Sequence, residues 1–334
     1  MSLEQRAREN IDRLLTAAGW LVCDADKVNI HVARGIAIRE FPLKSGHGFA
    51  DYLLYVNGKA AGVIEAKKVG VTLTGVETQS GKYTQGLPDG LPRWSNPLPF
   101  SYQSTGAETR FTNGLDPAPR SRSVFAFHKP ELLTEWLNNP PPNTAQQSLP
   151  QYYQTGSTFL ARLQQMPPFR EEGLWPAQIK AIQNLEQSLR ENRPRALIQM
   201  ATGRHLVHLP ADQVAGARRV LFLVDRGNLG DQTLKEFQQY ASPYNNFKFT
   251  EEYIVQRLTS NVLDTTARAC ICTIQRMYAM LKGRELPEDL EEASVDKLGG
   301  LFKQPELNEY NPSIPIESFD IIVTDECHRS IYNL

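Results

Sequence analysis

The sequence predicts an α/β protein in two parts, and three observations carry that reading. In the first half, β-rich runs at 49–56 and 60–66 flank Asn57-Gly58, the dipeptide that most favours a tight hairpin. In the second half, Val220–Val224, Ala269–Ile274 and Phe319–Thr324 are short runs apolar on both faces, separated by helical stretches. Strands of that kind belong to a parallel sheet covered by helices. Between the halves, Asn138-Asn139-Pro140-Pro141-Pro142-Asn143 reads as the start of a linker.

Taken in order, Leu3, Ala7, Ile11, Leu14, Leu15 and Ala18 form the apolar face of a helix over 3–18, stopped by Gly19. After the hairpin, 76–87 looks helical. The stretch 88–122 is rich in Pro, Gly, Ser and Thr and reads as irregular. A short strand, Val124–Phe127, precedes a helix around 130–137. Beyond the linker, a helix over 175–191 leads to the strand Ala196–Met200, and the sheet strands follow. The acidic segment 281–312 reads as a surface excursion.

Composition narrows the function classes. Lys+Arg total 36 against Asp+Glu 37, a net charge of −1, which excludes a histone-like basic protein and a polyacidic tail. Local basic patches remain compatible with nucleic-acid binding. With 334 residues a large core can be buried without disulfides. No apolar run is long enough to span a membrane, and the polar N-terminus is not a secretory signal, so a cytoplasmic protein with no membrane partner is expected. None of the four cysteines (Cys23, Cys270, Cys272, Cys327) forms a Cys-x-x-Cys pair, and the six histidines are scattered without zinc-ligand spacing. Cys270 and Cys272 are expected to be buried strand thiols.

The hairpin carries the first chemical signal. Asp51 begins one strand, and Glu65-Ala66-Lys67 ends the next. Phosphodiester hydrolysis needs carboxylates that hold a hard divalent cation, a metal-polarised water, and a lysine that steadies developing negative charge. Asp51, Glu65 and Lys67 supply those groups, the two acids as Mg2+ ligands. Strand parity tests this. A plain two-residue Asn57-Gly58 loop pairs residues summing to 115, which sets Asp51 opposite Ile64 and points Asp51 and Glu65 to opposite faces. The site therefore requires a three-residue loop Val56-Asn57-Gly58, or a bulge near Asp51, with Asp51 across from Val63 and Glu65 as its diagonal neighbour.

These residues resemble the PD-(D/E)xK nuclease superfamily, and more narrowly the N-terminal nuclease domain of the restriction (R, or HsdR) subunit of type I restriction–modification systems. That family carries a Gln-x-x-x-Tyr motif on a following helix, and Gln79-Ser80-Gly81-Lys82-Tyr83 matches it. The resemblance implies supporting roles for Gln79 and Tyr83 in positioning DNA or the lysine. Ala50 stands where the proline of the superfamily name would be.

The second signal is Phe319-Asp320-Ile321-Ile322-Val323-Thr324-Asp325-Glu326-Cys327-His328, a hydrophobic strand ending in Asp-Glu-x-His. It resembles motif II (the DEAD box) of superfamily 2 helicases and translocases. There the aspartate holds Mg2+ on ATP and the glutamate orients water. The resemblance extends to Gln178 as an adenine-reading glutamine, to 220–232 as motif Ia, and to Thr273–Arg276 as a DNA-tracking motif. It breaks at motif I. Ala201-Thr202-Gly203 is followed by Arg204-His205-Leu206-Val207-His208-Leu209-Pro210, with no P-loop glycine, lysine or hydroxyl.

The resemblance thus implies a PD-(D/E)xK nuclease domain at 1–145, a linker at 146–170, and at 171–334 an incomplete N-terminal RecA-like domain ending just after motif II. It implies the restriction subunit of a type I system, cleaving unmodified double-stranded DNA with Mg2+. In the complete enzyme that cleavage is coupled to ATP-driven translocation and to methyltransferase (M) and specificity (S) subunits. Two other readings stay open: a non-functional remnant with a damaged phosphate loop, and a nuclease fragment that works without ATP.

Overall fold

The structure is a computed structural model. It describes residues 3–27, 29–71, 73, 84–138, 158–164, 169, 171–172, 174–196, 217–241, 246–287, 291 and 311–325. The chain divides into two compact units, Met1–Met166 with Leu185–Leu197, and Pro167–Asn184 with Ile198–Leu334.

The first unit opens with helix α1 (Leu3–Ala17), which buries Ala7, Ile11, Leu14 and Leu15. It ends at Gly19, whose φ of 88° is open to glycine without strain; there the Trp20 N–H closes back on the Leu15 carbonyl at 3.0 Å. Seven strands follow in one sheet, in spatial order β1 (Leu21–Asp24), β2 (Gly35–Pro42), β3 (Phe49–Val56), β4 (Lys59–Ala66), β5 (Phe100–Ser104), β6 (Thr109–Asn113) and β7 (Arg122–Val124). The β1–β2 and β4–β5 pairs are parallel and the rest antiparallel. Helix α2 (Pro130–Asn138) buries Leu132, Leu133 and Leu137. One core cluster gathers Ile36, Ile38, Leu53, Tyr55 and Val63 of β2–β4 with Leu98 from the segment before β5.

Two expectations are corrected here. The stretch 88–122 is not irregular throughout, since it supplies β5, β6 and the start of β7. Among its polar strands, β5 (Phe-Ser-Tyr-Gln-Ser), hydrogen-bonded between β4 and β6, is buried along its whole length, and β6 is buried at alternate residues. The strand expected at Val124–Phe127 lies at Arg122–Val124 instead, and Ala126 and Phe127 are buried just beyond it.

The second unit holds four parallel strands in the order β11 (Ile321–Thr324), β8 (Val220–Val224), β10 (Ala269–Thr273), β9 (Val255–Arg257). The mixed α/β architecture is thus the one expected. Helix α4 (Pro176–Arg190), whose residues divide between the two units after Asn184, matches the helix expected over 175–191; α3 (Phe159–Leu163) of the first unit and α6 (Phe249–Glu252) of the second are short. Helix α5 (Gly227–Gln239) follows β8, and α7 (Ile274–Leu281) follows β10. Cys270 and Cys272 are buried in β10, where loss of hydration raises both thiol pKa values, that of Cys270 to about 11. Among the described residues no helix is long and apolar enough to cross a membrane. The expected strand at Ala196–Met200, most of 76–87 and most of 281–312 lie outside the described residues.

Candidate active site

The turn between β3 and β4 is the tight two-residue kind. Val56 pairs with Lys59, and Asn57 and Gly58 have φ values of 50° and 72°, as a type I′ turn requires. Tyr55 then pairs with Ala60, but Leu54 pairs with Gly62. Ala61 is therefore the extra residue of a β-bulge. From there the register runs Leu53↔Val63 and Tyr52↔Ile64, and one further step sets Asp51 level with Glu65. The odd offset demanded by parity thus exists, but its origin and sign differ from expectation. It comes from a bulge in β4 rather than a three-residue loop or a bulge beside Asp51. It makes Glu65, not Val63, the residue across from Asp51. At the bulge β4 also changes its outer neighbour: Ala60 bridges to Arg93, and Gly62 is already paired with Phe100 of β5.

The same face continues outward on both sides. In the β2–β3 ladder Arg39↔Tyr52 and Phe41↔Ala50 flank Glu40 and Asp51, so those two stand level. On the other side Glu65 pairs with Gln103 of β5. Four polar side chains, Glu40, Asp51, Glu65 and Gln103, thus cross four adjacent strands in one row. Glu65 and Gln103 are buried at 2% and 1% exposure.

Contacts within the row are charge-assisted. Lys67 Nζ lies 2.6 Å from Glu65 Oε1. The Ala66 backbone N–H donates to Asp51 Oδ2 at 2.9 Å, which ties the first strand's acid to the residue between Glu65 and Lys67. Arg8 of α1 donates from Nη2 to Asp51 Oδ1 at 2.8 Å and from Nη1 to Glu40. Helix α1 is anchored there by Asp12, which accepts from the Tyr52 hydroxyl at 2.7 Å and from Arg39 Nε at 3.0 Å. An open cleft of about 390 Å³ is lined by Arg8, Asp24, Arg39, Glu40, Asp51 and Tyr52.

Asp51, Glu65 and Lys67 are therefore brought together. Gln79 and Tyr83 lie outside the described residues. Among the described residues no group of three His, Cys, Asp or Glu side chains is close enough to hold a metal ion. Two opposed carboxylates still fit Mg2+, which takes one or two of them and keeps several waters. Sequence reasoning missed Arg8, Glu40 and Gln103. Gln103 sat in a stretch read as irregular. Glu40 has a φ of 48°, a left-handed backbone inside a strand that no local pattern announces.

In the second unit, two of the predicted nucleotide residues are described, Gln178 and Asp325. Gln178 Oε1 accepts the Trp175 N–H at 3.0 Å, the N3-to-N-cap half of a capping box on α4. Asp325 stands exposed just past β11, its N–H bonded to the Leu223 carbonyl at 2.9 Å. Glu326 and the motif I segment 201–210 lie outside the described residues. The stretch Thr273–Arg276 is turned inward. Thr273 caps α7, Gln275 reaches the Asp225 carbonyl at 3.2 Å, and Arg276, 3% exposed, pairs with Glu291 at 2.8 Å. The expected DNA-tracking contact of Gln275 and Arg276 is corrected accordingly: both side chains are committed to internal contacts.

Comparison with known proteins agrees with these two halves. The family model described as the second domain of the type I restriction enzyme EcoKI endonuclease subunit matches residues 25–104, and that of the type III restriction enzyme res subunit matches 172–334. The EcoKI endonuclease subunit of Escherichia coli (strain K12) is 25% identical, over 98% of this chain and 29% of that protein. The SauMSSORF170P endonuclease subunit of Staphylococcus aureus (strain MSSA476) is 22% identical, over 84% of this chain and 27% of that protein. A fragment described as an HsdR subunit of a type I restriction enzyme from Vibrio vulnificus YJ016 aligns at 16% identity over 96% of this chain and 51% of that one, with a TM-score of 0.29. This chain thus spans under a third of the length of those two curated relatives. In chain order the two halves thus match models of restriction-enzyme subunits, and the chain is similar along most of its length to type I restriction enzyme endonuclease subunits.

Proposed function

We propose that the chain is the DNA-cleaving part of a type I restriction subunit and hydrolyses double-stranded DNA with Mg2+ at Asp51, Glu65 and Lys67. The observation that carries this reading is the bulge at Ala61, which brings both acids level on one face with Lys67 beside them. A divalent ion held by Asp51 and Glu65 supplies a polarised phosphate and an acidified water. Asp51 is oriented by the Ala66 N–H. Lys67, paired with Glu65, is placed to neutralise charge that builds on the phosphate oxygens. Gln79 and Tyr83 are proposed as supports. In the complete enzyme, cleavage would be coupled to ATP-driven translocation and to methyltransferase and specificity subunits, in the cytoplasm.

A second reading concerns the motor half. The sequence Arg204–Pro210 in place of Gly-Lys-Thr favours a chain that cuts DNA without hydrolysing ATP. The test is nicking of plasmid DNA by the purified protein with Mg2+ and without ATP. Asp51→Ala and Glu65→Ala should abolish it, with losses of about 100-fold or more. Lys67→Ala should be comparably impaired while Mn2+ affinity is retained. Unchanged nicking by Glu65→Ala would refute the assignment.

A further inference from the structure

The guanidinium of Arg8 occupies Asp51 from the helix side. One nitrogen, Nη2, donates to Asp51 Oδ1 at 2.8 Å, and the other, Nη1, to Glu40. The second Asp51 oxygen is bonded to the Ala66 N–H. Both oxygens of this acid are thus engaged in the structure, one of them by a full positive charge. The helix that carries Arg8 is fixed by Asp12 to Tyr52 and Arg39, on the two strands that also carry Asp51 and Glu40. Glu40 gives Arg8 a second anchor from the neighbouring strand.

We propose that Arg8 is the counter-ion a divalent cation must displace from Asp51, with Glu40 as the anchor that retains the guanidinium once Asp51 turns to the metal. This rests on Asp51 being a metal ligand, as proposed above. Arg8 is then a positioning residue that acts through Asp51. It holds the carboxylate in place when no ion is bound, and it lowers affinity for the ion, because the cation must replace an existing charge partner on the same oxygen. Its side chain is 41% exposed, so the pair is screened by water and its effect on affinity is moderate.

The probe is Mn2+ alone, titrated into the full chain without DNA and followed by calorimetry and by electron paramagnetic resonance of the free ion. Arg8→Gln should bind Mn2+ roughly three- to fivefold more tightly than the parent. Arg8→Lys, which keeps the charge, should stay near the parent. Asp51→Asn should lose most of the affinity, and Arg8→Gln added to it should bring no gain. Circular dichroism and thermal melting verify that each variant is folded. If Asp51→Asn weakens binding but Arg8→Gln is no tighter than the parent, the counter-ion role is overturned and the nuclease site stands. A gain from Arg8→Gln that persists without the Asp51 carboxylate would also overturn it, since the effect would be a general field. If Asp51→Asn leaves Mn2+ binding untouched, the nuclease site falls and this inference falls with it.

Discussion

His128 sits among Tyr102, Phe111 and Trp136, with ring centroids 4.4–6.0 Å away. The Tyr102 hydroxyl lies 2.7 Å from its Nδ1, and Trp20 donates to its carbonyl at 2.9 Å. Burial penalises the imidazolium, and Arg122 adds repulsion, so its pKa is pushed down to about 3. Between about pH 6.5 and 3 the unfolded chain binds a proton that the folded one refuses. The stability tied to neutral His128 is therefore complete above pH 6.5 and drains as pH falls, at up to about 1.4 kcal/mol per pH unit. His128→Gln keeps a polar partner for Tyr102 and should remove that slope. Urea unfolding of the two proteins at pH 7.0, 6.0 and 5.0 should show their stabilities converging or crossing as pH drops; parallel curves would mean that His128 is protonated in the folded protein. This residue behaves as a satisfied core histidine.

At the scale of elements, sequence periodicity recovered what is local. The Asn57-Gly58 turn, α1, α4 and the parallel apolar strands are written in turn chemistry and hydrophobic pattern. What it could not give depends on neighbours. β5 reads as polar loop because Ser101 and Gln103 are polar in sequence yet buried in a strand whose backbone is paired on both edges. The position of Asp51 opposite Glu65 depends on one inserted residue in an otherwise uniform Ala60-Ala61-Gly62 run, which parity could demand but not locate. Gly62 shows the constraint at that corner. A Cβ built there would meet the Phe100 carbonyl oxygen at 2.6 Å and the Phe100 Cβ at 2.8 Å. Backbone cannot yield cheaply, so β4 and β5 would have to separate beside Glu65. Gly62→Ala should cost about 1–3 kcal/mol of stability in denaturant titration. It should also weaken Mn2+ binding through the displaced Glu65. Ala61→Ser, at the bulge but with little change in volume, should do far less; equal losses from both would argue against close packing at Gly62 as the cause.

For the whole molecule, the two halves carry unequal prospects of activity. In the first half, Asp51 on β3, Glu65 on β4 and Lys67 just beyond it come together within one unit. In the second half, Gln178 caps its own helix and Asp325 stands exposed at the end of β11, while Glu326 lies outside the described residues. Between them, the chain offers Arg204-His205-Leu206-Val207 where a phosphate loop needs a glycine, a lysine and a hydroxyl. A guanidinium one position after Gly203 cannot replace the lysine, because the amides that cradle the β- and γ-phosphates require the small residues around it. Pro210 also lacks an N–H where the following helix would run. Mg2+ at Asp325 would then have few ligands besides water. The purified chain should release no phosphate from ATP above background, with or without double-stranded DNA, while nicking plasmid in Mg2+ alone. Restoring Gly-Lys-Thr at 205–207 should not by itself recover hydrolysis, since Pro210 would still deny an N–H to a helix following the loop. DNA-stimulated phosphate release by the parent chain, abolished by Asp325→Ala, would show that residues 201–210 hold the phosphates after all.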